Sequence, residues 1–287
     1  SGQSRAAVRW AAGEAVRRHL QLRLVHAYWM PNALSLPGLL PATFDDESRD
    51  WSEKLLGEAA AQIAAEFPDL RITTAAIREA PGEGLRDASA DASLTVIGAT
   101  GHGEFASTVL GSVAMYLTRY ADGPVVVVRG DRPELSFDDG PVLVCIDGTM
   151  ESDDLLTFAF EQAGSRTVPW LAVHTFNDDV PDRLAWPYAA EIRKSRAAEE
   201  RSYLDGRLAD CIQKYADVDA TPVVLAGRPA AAILRYVKGL PYAEQPCLIV
   251  TGSRGLSGVS GMIFGSTSHT LMTHARCPVA VIPNTRA

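Results

Sequence analysis

Residues 248–268 read LIVTGSRGLSGVSGMIFGSTS, and this stretch decides the fold. Leu248, Ile249, Val250 and Thr251 form an apolar run of strand length. Gly252, Gly255 and Gly265 follow at the spacing Gly-x2-Gly-x9-Gly-Ser, and Gly265-Ser266 opens a helix. Glycines let backbone N–H groups approach an anion closely, and a helix start adds unpaired N–H groups and the positive end of a dipole. The stretch predicts a buried strand, a loop able to hold phosphate without a lysine, and a helix N-terminus.

The same stretch occurs earlier in the chain. Gly98, Gly101, Gly111 and Ser112 each lie 154 positions before Gly252, Gly255, Gly265 and Ser266, behind an apolar strand at 94–97. Ala121, Pro124, Val125 and Val127 keep that offset to Ala275, Pro278, Val279 and Val281. One register running through loop, helix and next strand marks an internal duplication. Farther upstream the offset is 148, from Ser4, Trp10, Val25 and His26 to Ser152, Phe158, Val173 and His174. The second repeat therefore carries an insertion near its middle, where loops tolerate one.

Working outward, Ala7, Trp10, Ala11 and Ala15 space a helix over 1–20, followed by a strand at 22–28 and an irregular Pro/Leu loop at 31–41. A long amphipathic helix is predicted at 51–67, a strand at 71–77, a Gly/Pro turn at 79–84 and a helix at 85–90. Beyond the first glycine loop come a helix at 112–120 and a strand at 124–129. The second half begins with a strand at 141–146 that runs into Asp147-Gly148-Thr149. It continues with a strand at 171–174, a helix at 203–215, a strand at 221–225, a turn at 226–230, a helix at 231–238 and a last strand at 278–282.

Apolar strands alternating with helices imply parallel sheets covered on both faces. The fold class is α/β, two tandem doubly wound units, residues 1–130 and 141–287, with a linker at 131–140. By register, the counterpart of Asp147 falls just before Ser1. Either the given sequence omits an upstream strand, or the first unit lacks its first strand.

With 287 residues, 47% of them hydrophobic, the chain is long enough to bury two cores. A net charge of −8 argues against nucleic acid or an anionic membrane surface as partner, since both demand a basic face. No run is long enough to span a bilayer and no charged-then-apolar leader opens the sequence, so the expectation is a soluble cytoplasmic protein. Cys145, Cys211, Cys247 and Cys277 show no C-x-x-C spacing and read as small hydrophobes of a reducing compartment. No metal follows from them.

Asp147 stands at the carboxyl edge of its strand, where open parallel sheets bind ligands, and can accept a hydrogen bond from an adenine amino group or a ribose hydroxyl. Thr175, expected just past the strand 171–174, borders the same edge, with Ala27 as its counterpart. Ser112, Ser266 and Thr267 offer hydroxyls and N-terminal amides to phosphate, and equally serve as caps. Arg254, between two glycines, neighbours the phosphate position where the first half has Thr100. His26 and His174 occupy matching strand ends and read as packed side chains rather than catalysts. The charge belts at 45–53 and 191–201 read as solvated helix starts. Neither a Walker-type Gly-x4-Gly-Lys-Ser/Thr nor Gly-x-Gly-x-x-Gly occurs.

These residues resemble the universal stress protein family in its tandem-domain form. The carriers are Asp147-Gly148-Thr149, Val173-His174, Gly227-Arg228-Pro229, the loop from Gly252 to Ser266, and Ala275-x-Cys277-Pro278-Val279-Ala280-Val281. In the first half they are Ser1-x2-Ser4, Val25-His26, the loop from Gly98 to Ser112, and Ala121-x2-Pro124-Val125-Val126-Val127. The resemblance implies five-stranded parallel sheets of order 3-2-1-4-5 with ATP, with or without magnesium, across the carboxyl edge. It implies Asp147 at the adenine and Thr175 or Ala27 beside the base. It puts Gly252, Gly255, Gly265, Ser266 and Thr267, and in the first unit Gly98, Gly101, Gly111, Ser112 and Val113, at the ribose and phosphates. It also implies pairing through the last strands, 124–128 and 278–282, either with each other or with those of a second chain in a homodimer, and a regulatory, stress-response protein acting through a protein partner.

No general base, lysine or arginine finger is evident beside the loops, so little or no hydrolysis is expected. Two other readings stand beside this one. One is a structural interaction module whose loops stay empty. The other is an adenylate-transferring enzyme, against which the sequence lacks the His-x-x-His and Ser-Gly-Gly-x-Asp loops of such enzymes.

Overall fold

A computed structural model of the chain describes residues 1–29, 44–101, 109–129, 140–146, 153–177, 189–215, 218–253 and 265–283. The loop expected at 31–41 and almost all of the linker lie outside them. The chain divides into two compact units, Ser1–Arg132 and Pro133–Ala287.

The second unit contains β5 (Val142–Ile146), α5 (Asp153–Arg166), β6 (Trp170–Phe176), α6 (Ala189–Lys214), β7 (Ala220–Ala226), α7 (Pro229–Gly239), β8 (Leu248–Gly252), α8 (Ser266–His274) and β9 (Val279–Ile282). All its ladders are parallel: β5 lies between β6 and β8, β7 pairs with β6, and β9 with β8. Counted within the unit the order is 3-2-1-4-5. Val142, Leu143, Val144, Leu248, Ile249 and Val250 are fully buried. That explains why β5 and β8 are continuous apolar runs rather than alternating ones. Pro222 is tolerated in β7 because that strand is the unit's edge, where a missing N–H breaks no ladder.

The first unit contains α1 (Gly2–Arg17), β1 (Leu22–Tyr28), α2 (Phe44–Glu66), β2 (Ile72–Arg78), α3 (Pro81–Ser89), β3 (Thr95–Gly98), α4 (Ser112–Tyr120) and β4 (Val125–Val128). β1 pairs with β2 and β3 with β4, both in parallel. Among the described residues no strand of this unit joins the two pairs. α1 packs against β3, β4 and β1, and its Ala12 and Ala15 meet Leu22, Leu24, Leu56 and Ile63 in one buried cluster. The Ser1 hydroxyl caps α1 by accepting the Ser4 N–H at 3.2 Å.

The element boundaries depart from the sequence reading in ways that chemistry explains. α3 and α7 start at Pro81 and Pro229, inside what the sequence suggests are turns, because proline at the first helical position gives up only an N–H that has no helical partner. α2 and α6 reach back to Phe44 and Ala189, absorbing both charge belts into the helices, mostly on exposed surface, though Ser52 is buried and Glu200 part-buried. Thr175 lies within β6, opposite Leu225, not beyond the strand. Ala27 is likewise inside β1, buried and opposite Ile77.

Candidate functional site

Parallel pairing puts the ends of β5, β6 and β8 along one carboxyl edge of the second unit. There the Ser253 N–H donates to the Ile282 carbonyl at 2.9 Å, and the Gly265 N–H donates to the Ser253 carbonyl at 3.1 Å. The second bond draws the two ends of the glycine-rich segment together, directly under the start of α8. Gly265 is the cap residue of α8 in extended conformation, and among the described residues no side chain caps that helix. The Ser268 and Thr270 hydroxyls turn away from the amides, donating to the Gly265 and Ser266 carbonyls.

The first unit repeats this clasp atom for atom. The Ala99 N–H donates to the Val128 carbonyl at 2.9 Å, and the Gly111 N–H to the Ala99 carbonyl at 2.7 Å. Gly111 is the extended cap residue of α4, which also has no side-chain cap. A Cβ on Gly111 would lie 3.2 Å from the Ala99 oxygen and 3.4 Å from the Thr100 Cα. This glycine is needed for the close approach of two backbones.

The clasps gather Gly252, Gly265, Ser266 and Thr267 in one unit, and Gly98, Gly101, Gly111, Ser112 and Val113 in the other. Thr175 stands apart from the second loop, on the far side of β5. Asp147, Arg254 and Gly255 lie outside the described residues. Each helix start leaves first-turn amides without an intrahelical partner, which suits a phosphate-sized anion. Among the described residues no group of three or more His, Cys, Asp or Glu is placed to hold a metal ion. No described helix is long and apolar enough to cross a membrane.

His174 is buried. Its Nδ1 lies 3.0 Å from the Ile146 carbonyl at the end of β5, and its Nε2 3.1 Å from Glu200 Oε2. Glu200, read from sequence as part of a solvated belt, thus helps fix the edge of the sheet. Gln3 is another residue that motif reading passes over. It is buried, and its Oε1 accepts the Thr100 N–H at 2.9 Å. The signal for Glu200 was there: it stands 26 residues after His174, as Ser52 does after His26. A lone buried glutamine has no such signal.

Tandem doubly wound units, each with a glycine-closed loop beneath an uncapped helix, define the class of protein. The chain matches the model of the universal stress protein family over residues 1–129 and again over 140–283, and it belongs to that family. A universal stress protein of Mycobacterium tuberculosis is 32% identical over 290 residues, covering 98% of this chain and 93% of its own. One from Mycolicibacterium smegmatis is 33% identical over 289 residues, covering 98% and 94%. Among solved structures, a universal stress protein from Archaeoglobus fulgidus matches with a TM-score of 0.69 at 20% identity. The match covers 99% of this chain and 95% of that one, a likeness of fold.

Proposed function

We propose that the chain is an ATP-binding regulatory protein of the stress response. Nucleotide at the carboxyl edge sets its conformation and its choice of protein partner, with little or no hydrolysis. One observation carries this reading: in both units the same glycine-to-carbonyl bond joins the ends of the loop beneath a helix that, among the described residues, no side chain caps.

In the second unit, Gly252, Arg254, Gly255, Gly265, Ser266 and Thr267 would hold the phosphates of ATP as its magnesium complex. Asp147 and Thr175 would border the base. We take the protein to be cytoplasmic, as the sequence reading expects, and homodimeric, as its resemblance implies.

The test starts by denaturing freshly purified protein and counting released nucleotide by chromatography and mass spectrometry, followed by titration with ATP. Gly265→Glu should abolish binding in the second unit by placing a side chain and a negative charge where phosphate sits. Asp147→Ala should weaken adenine binding by roughly 1–3 kcal/mol, the worth of one buried hydrogen bond. Full affinity in both variants removes the second-unit site. Multiple-turnover ATPase lost on changing one specific side chain replaces the switch with an enzyme.

A further inference from the structure

The histidines at the matching strand ends meet partners that differ in what they can do with a proton. In the first unit His26 Nδ1 lies 3.1 Å from the Ser52 hydroxyl, a group able to donate or to accept. In the second unit His174 Nδ1 lies 3.0 Å from the Ile146 carbonyl and its Nε2 3.1 Å from Glu200 Oε2. A carbonyl and an ionised carboxylate only accept, and an imidazole carries one N–H when neutral and two when protonated. The neutral ring can serve one of these two acceptors. Both are served only when it holds a second proton.

The two acceptors belong to different elements. Ile146 ends β5 and Glu200 sits on α6, so the imidazole bridges sheet and helix. β7 sets Val224 beside His174, and neither it nor the Ile146 carbonyl titrates. α6 brings two titratable groups to the ring: Glu200, and Tyr203 with ring centroids 5.9 Å apart. Arg196, one turn before Glu200, stands over the Phe176 ring at 5.7 Å. Little apolar burial holds this part of the helix. From Ala190 to Tyr203 no residue is buried, and Leu204 is the first that is. A polar tie to the sheet therefore weighs heavily on whether the first half of α6 stays docked.

We propose that His174 is a proton-operated latch between α6 and the end of β5. With two N–H groups the ring holds both elements. When one proton passes to solvent, one acceptor is released, the bridge opens and the first half of α6 loosens. The matching tie of the first unit, from His26 to a hydroxyl, serves either form of the ring. Nothing in this device requires a nucleotide.

The experiment is hydrogen–deuterium exchange of the full chain at about pH 5.5 and about pH 7.5, either side of the ordinary imidazole range, with rates corrected for the intrinsic effect of pH. Amides of residues 196–204 should be protected about tenfold more at the lower pH, the worth of one charge-assisted bond, and those of residues 48–56 in α2 equally at both. His174→Gln, which does not titrate, and Glu200→Gln, whose amide donates as well as accepts, should each abolish the dependence. Protection of 196–204 that ignores pH in the unaltered chain overturns the proposal, as does a dependence that survives in either folded variant. If neither variant folds, α2 and α6 of the unaltered chain decide the matter: a dependence shared by both helices overturns the latch, and one confined to α6 upholds it.

Discussion

Ser52 and Glu200 hold the same place in the two units and do the same work. Each partners the histidine 26 positions before it, Ser52 Oγ at 3.1 Å from His26 Nδ1 and Glu200 Oε2 at 3.1 Å from His174 Nε2. The chemistry differs. The Ser52 hydroxyl donates to the Ser48 carbonyl at 2.7 Å and so accepts from His26. His174 instead faces two acceptors, the Ile146 carbonyl at Nδ1 and the Glu200 carboxylate at Nε2.

Glu200→Ala leaves a buried ring nitrogen without its acceptor. The expected loss of stability is roughly 1–3 kcal/mol, read as a lower urea midpoint of the full chain. Glu200→Gln, which keeps an acceptor oxygen at the same reach, should recover part of it.

Gly98→Ala should be costly and Gly57→Ala should not. The first sets a Cβ against the backbone of Gln3, which cannot swing away, and overpacking of this kind costs about 1–3 kcal/mol. Gly57 lies within α2 with nothing within 4 Å of its added Cβ, and alanine there should stabilise by about 0.5–1 kcal/mol. Thermal unfolding of the two variants side by side checks the sign of each.

Gly227 precedes α7 at φ 119°, a conformation that side-chain-bearing residues avoid, and its N–H donates to the Phe176 carbonyl at 2.8 Å. Gly227→Ala should cost roughly 1–3 kcal/mol through backbone strain alone. The same measurement on Gly239→Ala, where a Cβ meets nothing within 4 Å, supplies the contrast.

Burial, reinforced by the neighbouring Cys247 and Cys145, pushes the Cys277 thiol far above its ordinary range. The folded protein therefore retains this proton when the unfolded chain would release it. Stability from this group is fully present below the ordinary thiol pKa, near 8.5, and falls as pH rises beyond it. The urea midpoint should drop between about pH 8 and 10, and less so in Cys277→Ala. At pH 8 Cys277 should resist iodoacetamide until the protein is unfolded.

Most of the architecture was legible because it rests on patterns that repeat. The apolar runs of β5, β8 and β4 betray buried parallel strands, and the 154-residue register from Gly98 to Gly252 exposes the duplication. Helix starts were less legible. Pro81 and Pro229 read as turn formers until their position at the first helical residue is seen, and Thr175 looked terminal because the apolar run ends before the strand does. Of the candidate site, the glycines and the Gly-Ser helix starts could be read as motifs. The clasp bonds could not, since they join backbone atoms of Ala99 and Gly111, or of Ser253 and Gly265, whatever the side chains. Gln3 was invisible for a different reason: its role comes from where α1 lies on β3, a tertiary fact with no local spacing.

The strand order of the second unit also bears on how the protein is made. β5 is the first of the unit's strands to leave the ribosome, yet one of its two sheet neighbours is β8, the fourth. Until β8 emerges, one backbone edge of a strand destined for full burial has no ladder partner. Such an edge invites pairing with foreign strands. Nascent chains halted between β7 and β8 should therefore aggregate or be retained by chaperones, and release of α8 and β9 should end that dependence. The order that brings the carboxyl ends of β5 and β8 side by side leaves the unit's first strand half-paired until its fourth has been made.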